Sequence, residues 1–501
     1  MQVKPHITLL YLLSVFTILL LISFAFFIVL PENQTQFRLV SDIYIGFPSP
    51  AEIFRQKKDH YADISQIIEQ NQITSDNDSV ADAPAAIFIP DTLRANADSL
   101  KNSVRRLQYP GTDRSLLYPV FREMDSAASL NKVVRIVHYG DSQIEGDRIT
   151  SFLRNKLQKK FGGKGVGLIP ARQVYDFKFS VFHNASENWN RYTLYGKTDT
   201  LIKHKRYGLL ASFNSFTPQP CDSSPKNRIP EYAWISVQQS PYSYGNTKSF
   251  EQCRVFYGYN KQPFTANLIV GGQLADSGTY QPADRLKQIK WSFDSPVSEI
   301  KIELKGKHSP ELYCIALDGE NGVAVDNVAM RGCAGTVFTK MDPGLFSSLV
   351  EKLDVKLMIL QFGGNIVPNI RSNYSFYERW FYSQLNYIRT YAPQVQIIVI
   401  GVSDMSVKKG DTYTTYPNLE LVRDALKNAT FRANAIYWDM YEAMGGKNSM
   451  PSWVFAKPPL ASPDFVHFNP KGAQIIANMF YNALMHEYNQ YKKHLLLQTE
   501  E

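Results

Sequence analysis

Three short segments hold side chains that could act on one another: Gly140-Asp141-Ser142, Phe362-Gly363-Gly364-Asn365, and the run Pro463-Asp464-Phe465-Val466-His467-Phe468-Asn469-Pro470. A serine hydroxyl is a weak nucleophile until an imidazole removes its proton, and the imidazole needs a carboxylate to fix its tautomer and stabilise its cationic form. Asp464 and His467 offer both groups from one loop, with Ser142 as the nucleophile. The oxyanion formed on attack needs hydrogen-bond donors. An asparagine amide and the N–H groups of a glycine turn suit that purpose, each contributing roughly 3 to 4 kcal/mol in hydrolases, and Asn365 with a glycine turn meets the requirement. The neighbouring polar residues read more simply. Asp141 or Ser142 could cap the next helix, His138 is a core or supporting histidine, and Glu145 and Asp147 are charges favourable at a helix N-terminus. The Trp438-Asp439-Met440-Tyr441-Glu442 run reads as packing.

These segments must be held by a rigid frame, and the chain spells one out. Val133 to His138 predicts a strand that ends at Gly-Asp-Ser, and Ile149 to Phe161 predicts the following helix, with Ile149, Phe152, Leu153, Leu157 and Phe161 near helical spacing. The alternation resumes later. Strands are predicted over Gly322–Val328, Leu357–Phe362, Gln396–Val402 and Ile436–Met440, and helices over Leu345–Leu353, Tyr377–Tyr391, Leu419–Asn434 and Pro470–Tyr488. Continuous apolar runs suit parallel strands covered on both faces, and a doubly wound sheet places its site at the carboxyl ends of the strands. The reactive segments fall there. Between the two halves, residues 176–324 change to short aromatic and β-branched runs such as YAWISVQ, CRVFYGY and EIKIEL, separated by turns such as Gly271-Gly272. That pattern predicts an inserted all-β sandwich or jelly roll, whose Trp189, Trp234 and Trp291 are core rings before they are sugar platforms.

The remainder of the 501 residues sets the context. At 44% hydrophobic and 20% charged the chain is globular and long enough for two or three units. A net charge of +8 without a polybasic block does not favour nucleic acid. Ile7 to Leu30 is an uncharged apolar stretch that covers the roughly 20 residues a bilayer core takes, and it lacks the small residues of a signal cleavage site. It predicts a single-pass anchor in the cytoplasmic membrane, with Lys4 inside and the chain after about residue 31 outside the cytoplasm. Gln66 to Ala85 is polar and small, so residues 32–94 read as a membrane-proximal linker region, with helical character from Asp91 to Gln108 and from Leu116 to Leu130. The catalytic-type domain then occupies 95–175 and 325–495. Cys221, Cys253, Cys314 and Cys333 have no CxxC spacing or histidine cluster to make a metal site, and read as one or two disulfides or as buried thiols.

Taken together, the Ser, Asn and Asp-x-x-His segments resemble the signature blocks of the SGNH hydrolases, also called the GDSL esterase/lipase family. The resemblance spans most of residues 130–490 and implies a flavodoxin-like three-layer α/β/α sandwich interrupted by the β module. It implies Ser142 as nucleophile, Asp464 and His467 as its partners, and an oxyanion hole from the Ser142 amide, the Asn365 side chain and a glycine after the second strand, Gly332 first and Gly335 as the alternate. The sequence departs from the pattern in having Gln143 where the family name has leucine and Ile366 where an aspartate often follows the asparagine. A split of this kind is similar to the peptidoglycan O-acetylesterases, with their inserted carbohydrate-binding-like domain. The implied function is removal of O-acetyl groups from an envelope carbohydrate, peptidoglycan above others, with no cofactor or metal. An acetyltransferase, a lipase or other polysaccharide deacetylase, and a non-catalytic wall-binding protein are the alternatives.

Overall fold

The computed structural model describes residues 5–29, 36–40, 43–46, 61–71, 105–174, 180–219 and 229–499. They divide into two units, Met1–His60 and Tyr61–Glu501. In the first, Pro5–Val29 is a helix and Gln36–Val40 pairs antiparallel with Ile43–Gly46. The Ser14 and Thr17 hydroxyls of this helix donate back to the Tyr11 and Leu13 carbonyls at 2.8 Å. Among the described residues no helix is both long and apolar enough to cross a membrane.

The second unit is organised by a five-stranded sheet: β1 Val133–Gly140, β2 Gly322–Ala329, β3 Val355–Gln361, β4 Gln396–Ile400 and β5 Ile436–Trp438. All pairings are parallel and the order is β2-β1-β3-β4-β5, the flavodoxin-like arrangement whose topological switch lies between β1 and β3. The principal helices are α1 Thr150–Phe161, α2 Pro343–Lys352, α3 Ser375–Tyr391, α4 Leu419–Arg432 and α5 Pro470–Thr499. Alternation along the strands decides the layering. Val134 and Ile136 of β1 pack with residues of α1, α5 and the shorter helix Tyr118–Ser126, while Val137 and Tyr139 pack with α2, α3 and α4. The sheet is thus covered on both faces, which is why its strands read as continuous apolar runs.

The inserted module is two antiparallel sheets over a common core. One runs Gln273–Tyr280, Phe264–Val270, Glu299–Gly306, Glu231–Gln239, Val181–Ala185; the other runs Ala283–Val297, Phe250–Asn260, Glu311–Asp318, Ser212–Ser215, Asn190–Thr193. Their inner residues, among them Ile235, Leu268, Ile302, Val255 and Trp291, make one hydrophobic cluster, so the module is a sandwich. The second sheet is buried on its other face too: Phe213, Phe256, Tyr313, Cys314 and Ala316 belong to the same cluster as Val137, Tyr139 and Phe338 of the α/β layer. Arg135 of β1 clips this junction. Its guanidinium reaches Asp318 of the module at 2.5 Å and Asp326 of β2 at 2.6 Å, all three buried, and Asp326 also accepts from the Leu168 amide at 2.8 Å.

Several boundaries differ from the sequence reading. Gly167–Ile169 already pairs with Glu311–Asp318, so module pairing begins before residue 176; three residues are too short a run to show a period. Gly322–Ala324, placed with the module by the 176–324 division, belongs to β2. Among the strands within 176–324, three were not read: Gln273–Tyr280 is a polar edge strand, Ser212–Ser215 is short and largely polar, and Glu311–Asp318 is buried on both faces and so shows no alternation. Gln108, read as helical, bridges antiparallel to Tyr437; most of Asp91–Gln108 lies outside the described residues. The linker reading fails at its start: Ser65–Gln70 is a helix, and Ile64 and Ile67 are buried in the cluster that holds α1 and α5. Cys253, Cys314 and Cys333 are free and buried, which corrects a disulfide among them, and Cys221 lies outside the described residues.

Candidate active site

β1, β2 and β3 end level with one another, Gly140 pairing with Ala329 on one side and Gln361 on the other. The chain then turns sharply. A Cβ on Gly140 would stand 2.9 Å from the Ile144 side chain and 3.1 Å from the Gln361 carbonyl, so only glycine lets the turn fold back over the strand ends. Asp141 is the cap: its Oδ1 accepts from the Gln143 amide at 3.0 Å and starts the 3-10 turn Ser142–Asp147. Ser142 is left free of capping and faces His467, which arrives from the loop before α5.

The three predicted residues form a chain of hydrogen bonds. Ser142 Oγ lies 2.8 Å from His467 Nε2, and His467 Nδ1 lies 2.8 Å from Asp464 Oδ2. With Nδ1–H donating to the carboxylate, Nε2 is the acceptor facing the serine, the tautomer a general base requires. The other Asp464 oxygen accepts from the backbone amides of Val466 and His467 at 2.9 and 3.0 Å. Partial burial works against its ionisation, but the hydrogen bonds from the His467 side chain and these amides outweigh it and hold the carboxyl at about 2. It is therefore a fixed anion at any working pH.

Asn365 follows the end of β3 and reaches the same place. Its Nδ2 donates to Asp141 Oδ2 at 3.2 Å and to the Cys333 carbonyl at 3.1 Å. Asp141 is buried, and burial pushes its carboxyl up to about 6 against the pull of the Gln143 amide, His467 and Asn365. The two candidate glycines separate clearly. Gly335 turns its amide to the Cys333 sulfur at 3.3 Å, and the space over its Cα is filled by Phe362 and Phe381. Gly332 is exposed at φ 75°, with nothing within 4 Å of a Cβ position.

His138 is the core histidine expected, its ring nitrogens bonded to Gln361 and Thr150 at 3.1 and 3.0 Å and its pKa lowered by burial to about 4. Glu145 and Asp147 are not simple dipole-facing charges, because the turn kinks at Glu145 and Gly146. Glu145 instead pairs with Arg331 at 2.5 Å, and Asp147 with Arg154 at 2.6 Å. Trp438 and Tyr441 are buried packing residues, as are Trp189 and Trp291. Two residues to which the sequence reading gave no role reach the site. Gln143 Nε2 donates to the Val466 carbonyl at 2.6 Å and to Ser403 Oγ at 3.2 Å, and Arg148 Nη1 donates to the Phe468 carbonyl at 3.2 Å. Their partners lie hundreds of residues away in the chain, so spacing could not reveal them.

A solved structure of a peptidoglycan O-acetylesterase superposes on 77% of this chain and 99% of its own with a TM-score of 0.60 at 19% identity. The chain has the fold of the SGNH hydrolases. The likeness is one of fold, and it extends over most of both chains. Partial similarity extends to a GDSL-like lipase from Parabacteroides merdae (16% identity, 32% of this chain and 72% of that one, TM-score 0.24). It extends also to a family two carbohydrate esterase from Clostridium thermocellum (9% identity, 53% and 95%, TM-score 0.23). No protein-family model matches the sequence, and no curated protein matches it.

Proposed function

We propose that this protein is a serine esterase that removes O-acetyl groups from an envelope carbohydrate, peptidoglycan above others. The observation that carries the proposal is the continuous Ser142–His467–Asp464 relay, 2.8 Å at each link, at the switch point of an SGNH fold. His467 Nε2 takes the Ser142 proton as Oγ attacks the ester carbonyl. The tetrahedral oxyanion is received by the amides of Ser142 and Gly332 and by Asn365 Nδ2. Collapse expels the sugar hydroxyl, which takes the proton back from His467. Water, deprotonated by the same imidazole, then attacks the acetyl-serine and releases acetate. In the free protein both Asn365 N–H groups are engaged, so its part in the hole means sharing the one now held by the Cys333 carbonyl. Gly332 is preferred to Gly335 because the Gly335 amide is given to the Cys333 sulfur in a packed corner, whereas the space over the Gly332 Cα is open.

The substrate class rests on the similarity to the peptidoglycan O-acetylesterase structure over nearly its whole length and on the inserted sandwich. The apolar, uncharged sequence Ile7–Leu30 favours a single-pass anchor, and Lys4 before it favours a catalytic unit outside the cytoplasm, which would bring it to that polymer. The test is acetate release by the protein and by Ser142→Ala from O-acetylated peptidoglycan, acetylated xylan, and short and long nitrophenyl esters. The reading expects Ser142-dependent release with peptidoglycan preferred. Release from long-chain esters alone would point to a lipase, and binding of peptidoglycan without release from any ester would move the function to the β module.

A further inference from the structure

The loop that carries the catalytic histidine has three successive carbonyls pinned. The His467 carbonyl accepts from the Ser462 amide at 2.8 Å within the loop itself. The carbonyls on either side are held from outside it, both by side chains of the nucleophile turn: Val466 O by Gln143 Nε2 at 2.6 Å and Phe468 O by Arg148 Nη1 at 3.2 Å. A carbonyl can only accept, so the Gln143 amide must present its NH2 group here; its second N–H goes to Ser403 Oγ at the end of β4. Arg148 is braced in turn by Nε donating to the Glu145 carbonyl at 2.9 Å.

Resting on the esterase reading, we propose that Gln143 and Arg148 form a two-pronged clamp that sets His467 against Ser142. The residue following the nucleophile and the residue six beyond it grip the histidine loop on both sides of the imidazole. Placement of a general base within hydrogen-bond reach decides whether the serine is activated, and a shift of about 1 Å costs on the order of 100-fold. The clamp makes that placement a property of one short turn rather than of the distant elements that bring the two loops together. It also gives the departure from leucine at position 143 a purpose, since leucine cannot donate. Both are positioning residues; neither touches the reacting atoms.

The variants are Gln143→Leu, Gln143→Glu, Arg148→Met, Arg148→Lys and the Gln143→Leu/Arg148→Met double, each in the full chain. Gln143→Glu keeps the shape and removes the donor. Arg148→Lys keeps a donor and the charge. The clamp predicts a fall in kcat of about tenfold or more for Gln143→Leu, Gln143→Glu and Arg148→Met. The fall is by the same factor on nitrophenyl acetate and on O-acetylated peptidoglycan, with KM changed less than threefold, and Arg148→Lys recovers most of it. Because either loss frees the same loop, the double variant falls little further than the worse single one. The rate of fluorophosphonate labelling of Ser142 follows kcat. Melting temperatures separate misfolding from misplacement, with Gln143→Glu and Arg148→Lys as the variants least disturbing to packing. Kcat within twofold of the unaltered protein, losses confined to KM, or losses on the glycan alone would overturn the clamp. An unaltered protein that labels at Ser142 but hydrolyses no ester would sink the esterase reading, and the labelling rates would still decide the clamp. An unaltered protein that does not label would sink both.

Discussion

At the scale of single residues the site is two carboxylates with opposite tasks. Asp464 is held at about 2 by the hydrogen bonds from His467 and the loop amides. The stability and orientation it gives are present above the ordinary carboxylate value and are lost only as pH falls towards 2. Asp464→Asn is therefore expected to lower kcat by roughly 10³ to 10⁴, as measured on nitrophenyl acetate. A loss of less than about tenfold would contradict the role given to the carboxylate. Asp141 runs the other way. Burial raises it to about 6, so its share of stability is complete below pH 4 and disappears as pH rises through 6. The melting temperature of the unaltered protein should then fall, relative to Asp141→Asn, between pH 4 and 7; parallel curves would contradict this. The side chains that meet at the site were legible as candidates because each sits in a compact local pattern: Gly-Asp-Ser after an apolar strand, Asn after paired glycines, and Asp three before His. Gln143 and Arg148 were not, because what they do depends on carbonyls more than 300 positions away.

At the scale of elements, parallel strands announce themselves and the junction between layers does not. β1, β3 and β4 are apolar on both faces and were read to within a few residues, whereas Glu311–Asp318, equally buried, merged with its surroundings because one face belongs to the sandwich core and the other to the α/β core. The same junction carries a buried charge group. Arg135 bridges Asp318 and Asp326, and removing it leaves Asp318 with Arg254 alone at 3.0 Å and takes from the buried Asp326 the cation that neutralises it. Arg135→Met is expected to cost about 3 to 5 kcal/mol, measured by urea unfolding at pH 7. The triple Arg135→Met/Asp318→Asn/Asp326→Asn should recover part of that loss. A single Arg135→Met within 1 kcal/mol of the unaltered protein would show that the pair does not hold the module to the sheet.

At the scale of the whole chain, the segment before the α/β unit is part of it. Ile64 and Ile67 are 5% and 6% exposed, the Ala62 amide bonds to the Asn448 carbonyl at 3.1 Å, and the helix between them was hidden in the sequence by the polar residues that follow. Ile67→Ala is expected to destabilise the protein by about 2 to 4 kcal/mol, where a residue in a solvated linker would change stability by no more than about 0.5 kcal/mol; chemical denaturation distinguishes the two. The β module is likewise a wall of the α/β core and not an appendage, since Phe213, Phe256 and Tyr313 share a cluster with β1. What all these parts hold in place is one hydroxyl beside one imidazole. The most direct measurement is mass spectrometry of the protein after treatment with a fluorophosphonate ester, with the modified peptide sequenced. The account predicts a single adduct on Ser142, absent from Ser142→Ala and formed at least 100-fold more slowly by His467→Ala. Acetate release by a protein that carries no adduct on Ser142, or an adduct on another residue, would contradict it.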